Sequence, residues 1–173
     1  MTENNAANAE QDELVITRNF DAPRALVFKA FTEPEHLKNW WGPKGSAITV
    51  AKFDLRPGGE FLYSMRHGDG REMWGKFVYR EIVQPEKVVY VNFFSDAEGN
   101  LAPNPFQIPH WPQEILNTWT FDENDGKTTL TLRGGPINAT SEERNTFNGM
   151  RGSMQEGFGG TFDQLDEYLA QAF

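Results

Sequence analysis

Between Leu14 and Phe20 apolar and polar positions alternate, and the run Leu14-Val15-Ile16-Thr17-Arg18-Asn19-Phe20 is rich in β-branched side chains, so it predicts a first strand. The period then lengthens. Asp21-Ala22-Pro23 reads as a helix entry with Asp21 ahead of a Pro near the first turn, and Leu26, Val27, Ala30 and Phe31 follow at helical spacing. A second short helix is predicted from Pro34, carrying Leu37, Trp40 and Trp41 until Gly42-Pro43 stops it.

From residue 47 the period falls to two. Ala47, Thr49, Ala51, Phe53 and Leu55 are assigned to one strand face and Ile48, Val50, Lys52 and Asp54 to the other, before Pro57-Gly58-Gly59 turns the chain. Phe61, Tyr63 and Met65 alternate with Leu62, Ser64 and Arg66, and His67-Gly68-Asp69-Gly70 has hairpin chemistry because Asp-Gly tolerates positive φ. Met73 to Val83, Lys87 to Ser95, Glu114 to Asp122 and Thr128 to Arg133 predict four more strands. Short connections make these neighbours antiparallel. The exception is Asp96 to Pro112, too long for a hairpin loop and holding four prolines, which predicts a functional lid or a flexible insertion. Its Phe106, Ile108 and Trp111 read first as a local packing plug and second as a ligand gate.

The last element opens at Thr140, which has capping-box spacing to Glu143. Phe147, Met150, Met154, Phe158, Thr161, Phe162, Leu165, Tyr168 and Leu169 follow at steps of mostly three and four, predicting one continuous helix of about eight turns. It contains Gly149, Gly152, Gly157, Gly159 and Gly160, each costing about 1 kcal/mol against Ala in a helix interior. The expected offset is steric: the helix passes close to the sheet or leaves space beside it. The resulting fold class is α+β, a curved antiparallel sheet of about six to seven strands around a long C-terminal helix, with two short helices after the first strand. Residues 1–12, with little to bury, are expected to be a disordered tail, and 13–173 a single domain.

These motifs resemble the family named for the activator of the heat-shock-protein-90 ATPase. The resemblance is carried by Phe20-Asp21-Ala22-Pro23-Arg24-Ala25-Leu26-Val27-Phe28, Thr32-Glu33-Pro34-Glu35-His36-Leu37, Trp40-Trp41-Gly42-Pro43, Phe53-Asp54-Leu55-Arg56-Pro57-Gly58-Gly59 and Met154-Gln155-Glu156-Gly157-Phe158-Gly159-Gly160-Thr161-Phe162-Asp163-Gln164-Leu165. It runs from about Leu14 to Ala170. It implies a helix-grip fold of the START-like, birch-pollen-allergen-like (SRPBCC) superfamily, whose members commonly hold an apolar ligand between sheet and long helix. Phe158 stands where family members often place Trp, and the long loop resembles one subgroup only. The eukaryotic co-chaperone behind the family name carries a second, N-terminal domain for which 173 residues leave no room.

Composition narrows the functional classes. A net charge of -9 disfavours nucleic acid and anionic membrane as partners, since both select clustered Lys and Arg. No apolar run is long enough for membrane insertion. The absence of cysteine removes disulfides, thiolate nucleophiles and thiolate metal sites, and with no basic, apolar N-terminal signal the expected compartment is the cytoplasm. His36, His67 and His110 form no metal-ligand spacing, so neither metal nor cofactor is expected. Serines lack a nucleophile elbow, and no catalytic residues are assigned.

Aromatic residues make up 13% of the chain and cluster by strand face. Tyr63 with Met65, Phe77 with Tyr79, and Asn117 with Trp119 and Phe121 each share one. Set against a helix short of side chains, they suggest an apolar pocket with a few placed polar groups, of the kind that takes small molecules. The alternative is that the rings fill the core. Candidate ligand-binding residues are Trp40, Trp41, Phe53, Tyr63, Met65, Trp74, Phe77, Tyr79, Asn92, Asn117, Trp119, Met154, Phe158 and Phe162. The leading expectation is therefore a protein that binds a small hydrophobic or amphipathic molecule. Two others stay open. One is an enzyme of cyclase, hydrolase or dehydratase type, as some superfamily relatives are, with His67, Tyr63, Tyr79 or Glu114 as its acid or base, and with an inward Glu60, Glu72 or Glu114 as a proton carrier. The other is a stress-response or chaperone-adaptor protein. A homodimer and a chaperone contact are both left open.

Overall fold

The computed structural model describes residues 13–172, so the tail expected at residues 1–12 lies outside the described residues. Its elements, in chain order, are β1 (Leu14–Phe20), α1 (Arg24–Thr32), α2 (Pro34–Leu37), β2 (Ala47–Phe53), β3 (Glu60–Arg66), β4 (Glu72–Val83), β5 (Lys87–Ser95), β6 (Glu114–Asn124), β7 (Lys127–Ile137), α3 (Ser141–Gly149) and α4 (Arg151–Ala172). The seven strands form one antiparallel sheet in the order β1-β7-β6-β5-β4-β3-β2. β2 to β7 thus run as a meander, and β1 closes the far edge by pairing with β7. With α1, α2 and α4 packed on its concave face, this is a helix-grip fold of the α+β class.

Local chemistry accounts for most turns. Asp125 at φ 53° and Gly126 at φ 74° make the two-residue link between β6 and β7, the paired left-handed conformation that matches strand twist. Gly59 is held by space, because a Cβ there would lie 2.1 Å from the Asp54 carbonyl oxygen. The capping box of α3 is complete: the Glu143 N–H donates to Thr140 Oγ1 at 3.1 Å and the Thr140 N–H donates to Glu143 Oε1 at 2.9 Å.

Five expectations are corrected. Asp21 does not cap α1; the Arg24 N–H donates instead to Glu123 Oε1 at 2.9 Å, so the cap comes from β6, 99 residues away. The second helix ends at Leu37, and Trp40 and Trp41 sit in the turns beyond it. β2 does not alternate strictly. A bulge between Val50 and Lys52 inserts one residue, so Ile48 and Val50 pack on the core together with Phe53 and Leu55, which periodicity had assigned to the opposite face.

The C-terminal helix is two helices. Met150, at φ -98° and ψ 4°, leaves the helical region, and its N–H turns back to Phe147 O and Asn148 O. The helical glycines do not serve a close approach to the sheet either. A Cβ at Gly149, Gly152, Gly157, Gly159 or Gly160 would meet no atom within 4 Å, and the first three are exposed. At the three exposed glycines the missing side chains open onto solvent rather than onto the rings of the sheet. Gly152→Ala and Gly157→Ala are therefore expected to raise stability, each by about 0.5–1 kcal/mol. Urea unfolding followed by circular dichroism checks this, and a loss of stability would reveal a constraint at the glycine backbone.

Candidate functional site

The centre of the concave face is filled by rings. Trp119 on β6 is wholly buried; its Nε1 donates to Tyr90 Oη at 2.9 Å, and its ring meets Phe31 of α1 at 4.9 Å and Phe162 of α4 at 5.9 Å. Trp40 is buried against Phe31 at 4.5 Å and donates to the Ala30 carbonyl at 3.0 Å. Trp41 occupies the interval between sheet and α4, edge-on to Phe77 at 5.5 Å, to Trp119 at 6.4 Å and to Phe158 at 6.5 Å. The turn after it is fixed by α4, since the Gly42 carbonyl accepts from Thr161 Oγ1 at 3.1 Å and Gln164 Nε2 at 2.8 Å. Gly42 itself is at φ 97°, where L side chains are strained.

Space remains toward the end of the sheet that lies under the loop 96–112. An inner cleft of about 70 Å³ is bounded by Tyr63, Met73, Gly75, Asn92, Phe94, Trp111 and Ile115. A glycine makes room for its principal ring: Tyr63 pairs across strands with Gly75, where a Cβ would stand 2.6 Å from the phenol. Asn117 is placed similarly, over Gly134 of β7, and its Nδ2 donates to Asn92 Oδ1 at 2.6 Å. An outer groove of about 400 Å³ shares Phe94, Trp111, Pro112 and Gln113 with the cleft and adds Leu101, Pro103, Ile108 and Glu143.

The loop that separates the two spaces is pinned at several points. Asp96 accepts from the backbone of Glu98 and Asn100, closing a tight turn. The Gly99 carbonyl accepts from Lys76 Nζ at 3.2 Å, and Trp111 lies 6.1 Å from Phe147 of α3. His110 Nδ1 stands 3.1 Å from Glu142 Oε2.

Of the residues expected to line a pocket, Tyr63, Trp74 and Asn92 border this cleft, and Asn117 joins it through Asn92. Trp74 occupies the β4 position paired with Ser64 and Ser95, on the face opposite to Phe77 and Tyr79. Trp40, Met65, Phe77, Tyr79, Trp119 and Phe162 are core, while Trp41, Phe53 and Phe158 are partly buried residues packed against it. Met154 is half-buried on α4. Sequence reasoning did not reach Met73, Phe94 or Ile115; each falls on the inward parity of its strand, which was a usable signal, whereas the position of Trp111 is set by tertiary contacts.

Among the described residues no acid–base pair converges on the cleft. Burial pushes the phenols of Tyr63, Tyr79 and Tyr90 upward, only partly opposed at Tyr63 by its hydrogen bond with Trp41 and at Tyr90 by that with Trp119. At neutral pH Tyr63 is therefore a hydrogen-bond donor and not a base. Glu60 is held below the usual carboxylate range, chiefly by Lys76 at 2.8 Å, and so stays ionised rather than carrying a proton inward. Glu72 faces Arg66 at 3.6 Å, and Glu114 lies on the β6 face opposite to Asn117. His67 is at the hairpin tip, 6.4 Å from the Phe106 ring, beside the cleft rather than in it. Among the described residues no group of three or more His, Asp and Glu could hold a metal ion, and no helix is long and apolar enough to cross a membrane.

Sheet, grip helix and end-on cleft define a helix-grip protein, and comparison with known proteins specifies the family. Residues 21–170 match the family described as activator of Hsp90 ATPase homolog 1-like protein, and the chain belongs to that family. The solved structure of protein Ms6760 from Mycobacterium smegmatis is similar at 30% identity and TM-score 0.73, covering 92% of this chain and 91% of that one. Protein NE0264 from Nitrosomonas europaea is similar at 26% identity and TM-score 0.72, covering 94% and 96%. A protein from Silicibacter pomeroyi named AHSA1 shares the fold at 18% identity and TM-score 0.71, covering 93% and 99%. No curated protein matches.

The three buried phenols give a pH test. Their folded pKa values lie above the unfolded value of about 10, so the folded state retains protons that the unfolded state releases. Their contribution to stability is complete below that value and is lost as pH rises from it through the raised folded values. Absorbance at 295 nm is expected to show these three of the four tyrosines ionising only together with loss of the far-ultraviolet circular dichroism. Ionisation of all four while the fold persists would contradict their burial.

Proposed function

We propose that this protein binds a small hydrophobic or amphipathic molecule at the open end of the sheet, in the cleft and groove on either side of Trp111. The observation that carries the reading is the cleft itself: an apolar recess bounded by Tyr63, Met73, Phe94, Trp111 and Ile115, with Asn92 as its polar wall. Small-molecule sites combine mostly apolar walls with a few fixed polar groups in this way. The inner space of about 70 Å³ is too small for a ligand of ordinary size, whereas the neighbouring groove of about 400 Å³ is not. Binding then requires Trp111 to swing from between them, which joins the two spaces. In this reading Tyr63 and Asn92 orient the ligand, Trp111 gates it, and the central rings of the expected pocket form its rigid floor.

A thermal-shift and native mass spectrometry screen against fatty acids and alcohols, aromatics and polyketide-like compounds tests the proposal. Stabilising hits are expected with the wild-type chain, at equal or greater strength with Trp111→Ala, and lost with Ile115→Trp, which fills the cleft. The proposal falls if no compound stabilises either the wild type or Trp111→Ala, or if Ile115→Trp retains the hits.

A further inference from the structure

Arg151 is the first residue of α4, and it starts the apolar stripe of that helix. Steps of three and four lead from Arg151 through Met154 and Phe158 to Phe162, Leu165 and Leu169, of which the last three are buried in the core. Its side chain therefore projects from the face that covers the sheet. Neighbours fix the depth. On one side Phe147 is buried and lies 6.1 Å from Trp111 of the cleft wall; on the other Phe158 lies 6.0 Å from Trp119. Arg151 lies between them along the chain, one turn beyond the Phe147 that meets Trp111 of the cleft wall.

Its Nε and Nη2 are both buried, and neither has a hydrogen-bond partner among the described residues. Arg151 as a whole is half-buried, but guanidinium donors removed from water without a partner are costly. Nε and Nη2 form one edge of the guanidinium, two parallel donors at the spacing of the two oxygens of a carboxylate. The helix increases the demand for negative charge. A cation at a helix N-terminus opposes the macrodipole, and the first turn of α4 contains no acidic residue.

We propose that Arg151 binds the carboxylate of an amphipathic acid whose apolar part lies in the cleft beneath Trp111. This rests on the binding reading above and adds the ligand class: an organic acid with a hydrocarbon or aromatic body, in preference to a neutral apolar compound. The chain's net charge of -9 repels anions at long range, but at physiological ionic strength such repulsion is screened beyond about 8 Å. The local pairing decides.

Isothermal titration calorimetry with dodecanoic acid, dodecanol and methyl dodecanoate at pH 7.5 and physiological salt provides the test, on the full chain and on Arg151→Met and Arg151→Lys. The wild type is expected to bind the acid at least about tenfold more tightly than either neutral analogue, as a charge-assisted bidentate pair warrants. Arg151→Met should bring the three affinities to within about twofold of one another, and Arg151→Lys should keep part of the preference. Without ligand, Arg151→Met should melt no lower than the wild type, because it removes two buried donors that have no partner. Equal binding of acid and alcohol by the wild type, or an acid preference that survives Arg151→Met, overturns the inference and leaves the binding reading standing. Failure of all three compounds on the wild type, together with failure of the wider screen, removes both.

Discussion

The fold is organised around the indole of Trp119. It projects from the middle of β6, wholly buried, and receives a ring from α1 (Phe31), from the turn after α2 (Trp41) and from α4 (Phe158 and Phe162). Edge-to-face aromatic pairs add about 0.5–1.5 kcal/mol each beyond the area they bury, and here several share one ring. The polar edge of that ring is satisfied inside the core by Tyr90 at 2.9 Å, so burial leaves no orphaned N–H. Because three separate elements meet the sheet at one residue, the helices cannot shift independently of one another.

That arrangement decides where space is left between sheet and cover. Trp41 lies edge-on to rings from β4, β6 and α4, which closes the middle of the interval between sheet and helix. Free space persists where β4, β5 and β6 extend past the aromatic cluster and the covering element is a loop instead of a helix. The loop is anchored by individual contacts, here Lys76 to Gly99 and Trp111 to Phe147, rather than by a continuous helix face, so it is the part of the roof least costly to move. Scaffold and site are thereby divided: rigid rings below, adjustable cover above.

Two glycines show how closely the strand faces were tuned. Gly75 and Gly134 interrupt strands where glycine is ordinarily unfavourable, and each accepts the side chain of its cross-strand partner, Tyr63 and Asn117. Both partners project toward the cleft end. The helical glycines have no such neighbour, and nothing in the structure explains why five of them occur where alanine would be favoured.

The alternation of apolar residues along β3 to β7, the Asp-Gly turn and the Thr140 capping box are local signals, governed by neighbours a few residues away, and they made the strands, their faces and the start of the last helical region legible in the sequence. The bulge that reassigns Phe53, the break at Met150 and the cap supplied to α1 by Glu123 depend on contacts between distant segments, so periodicity could not contain them. The same division applies to the site. Tyr63 and Asn92 could be assigned to an inward face because a strand side chain has only two directions. That Trp41 fills the centre, that Trp111 closes the end, and that Arg151 heads the apolar stripe with two buried donors unpaired were decided by tertiary packing, since whether a face encloses rings or space depends on what the opposing elements bring to it.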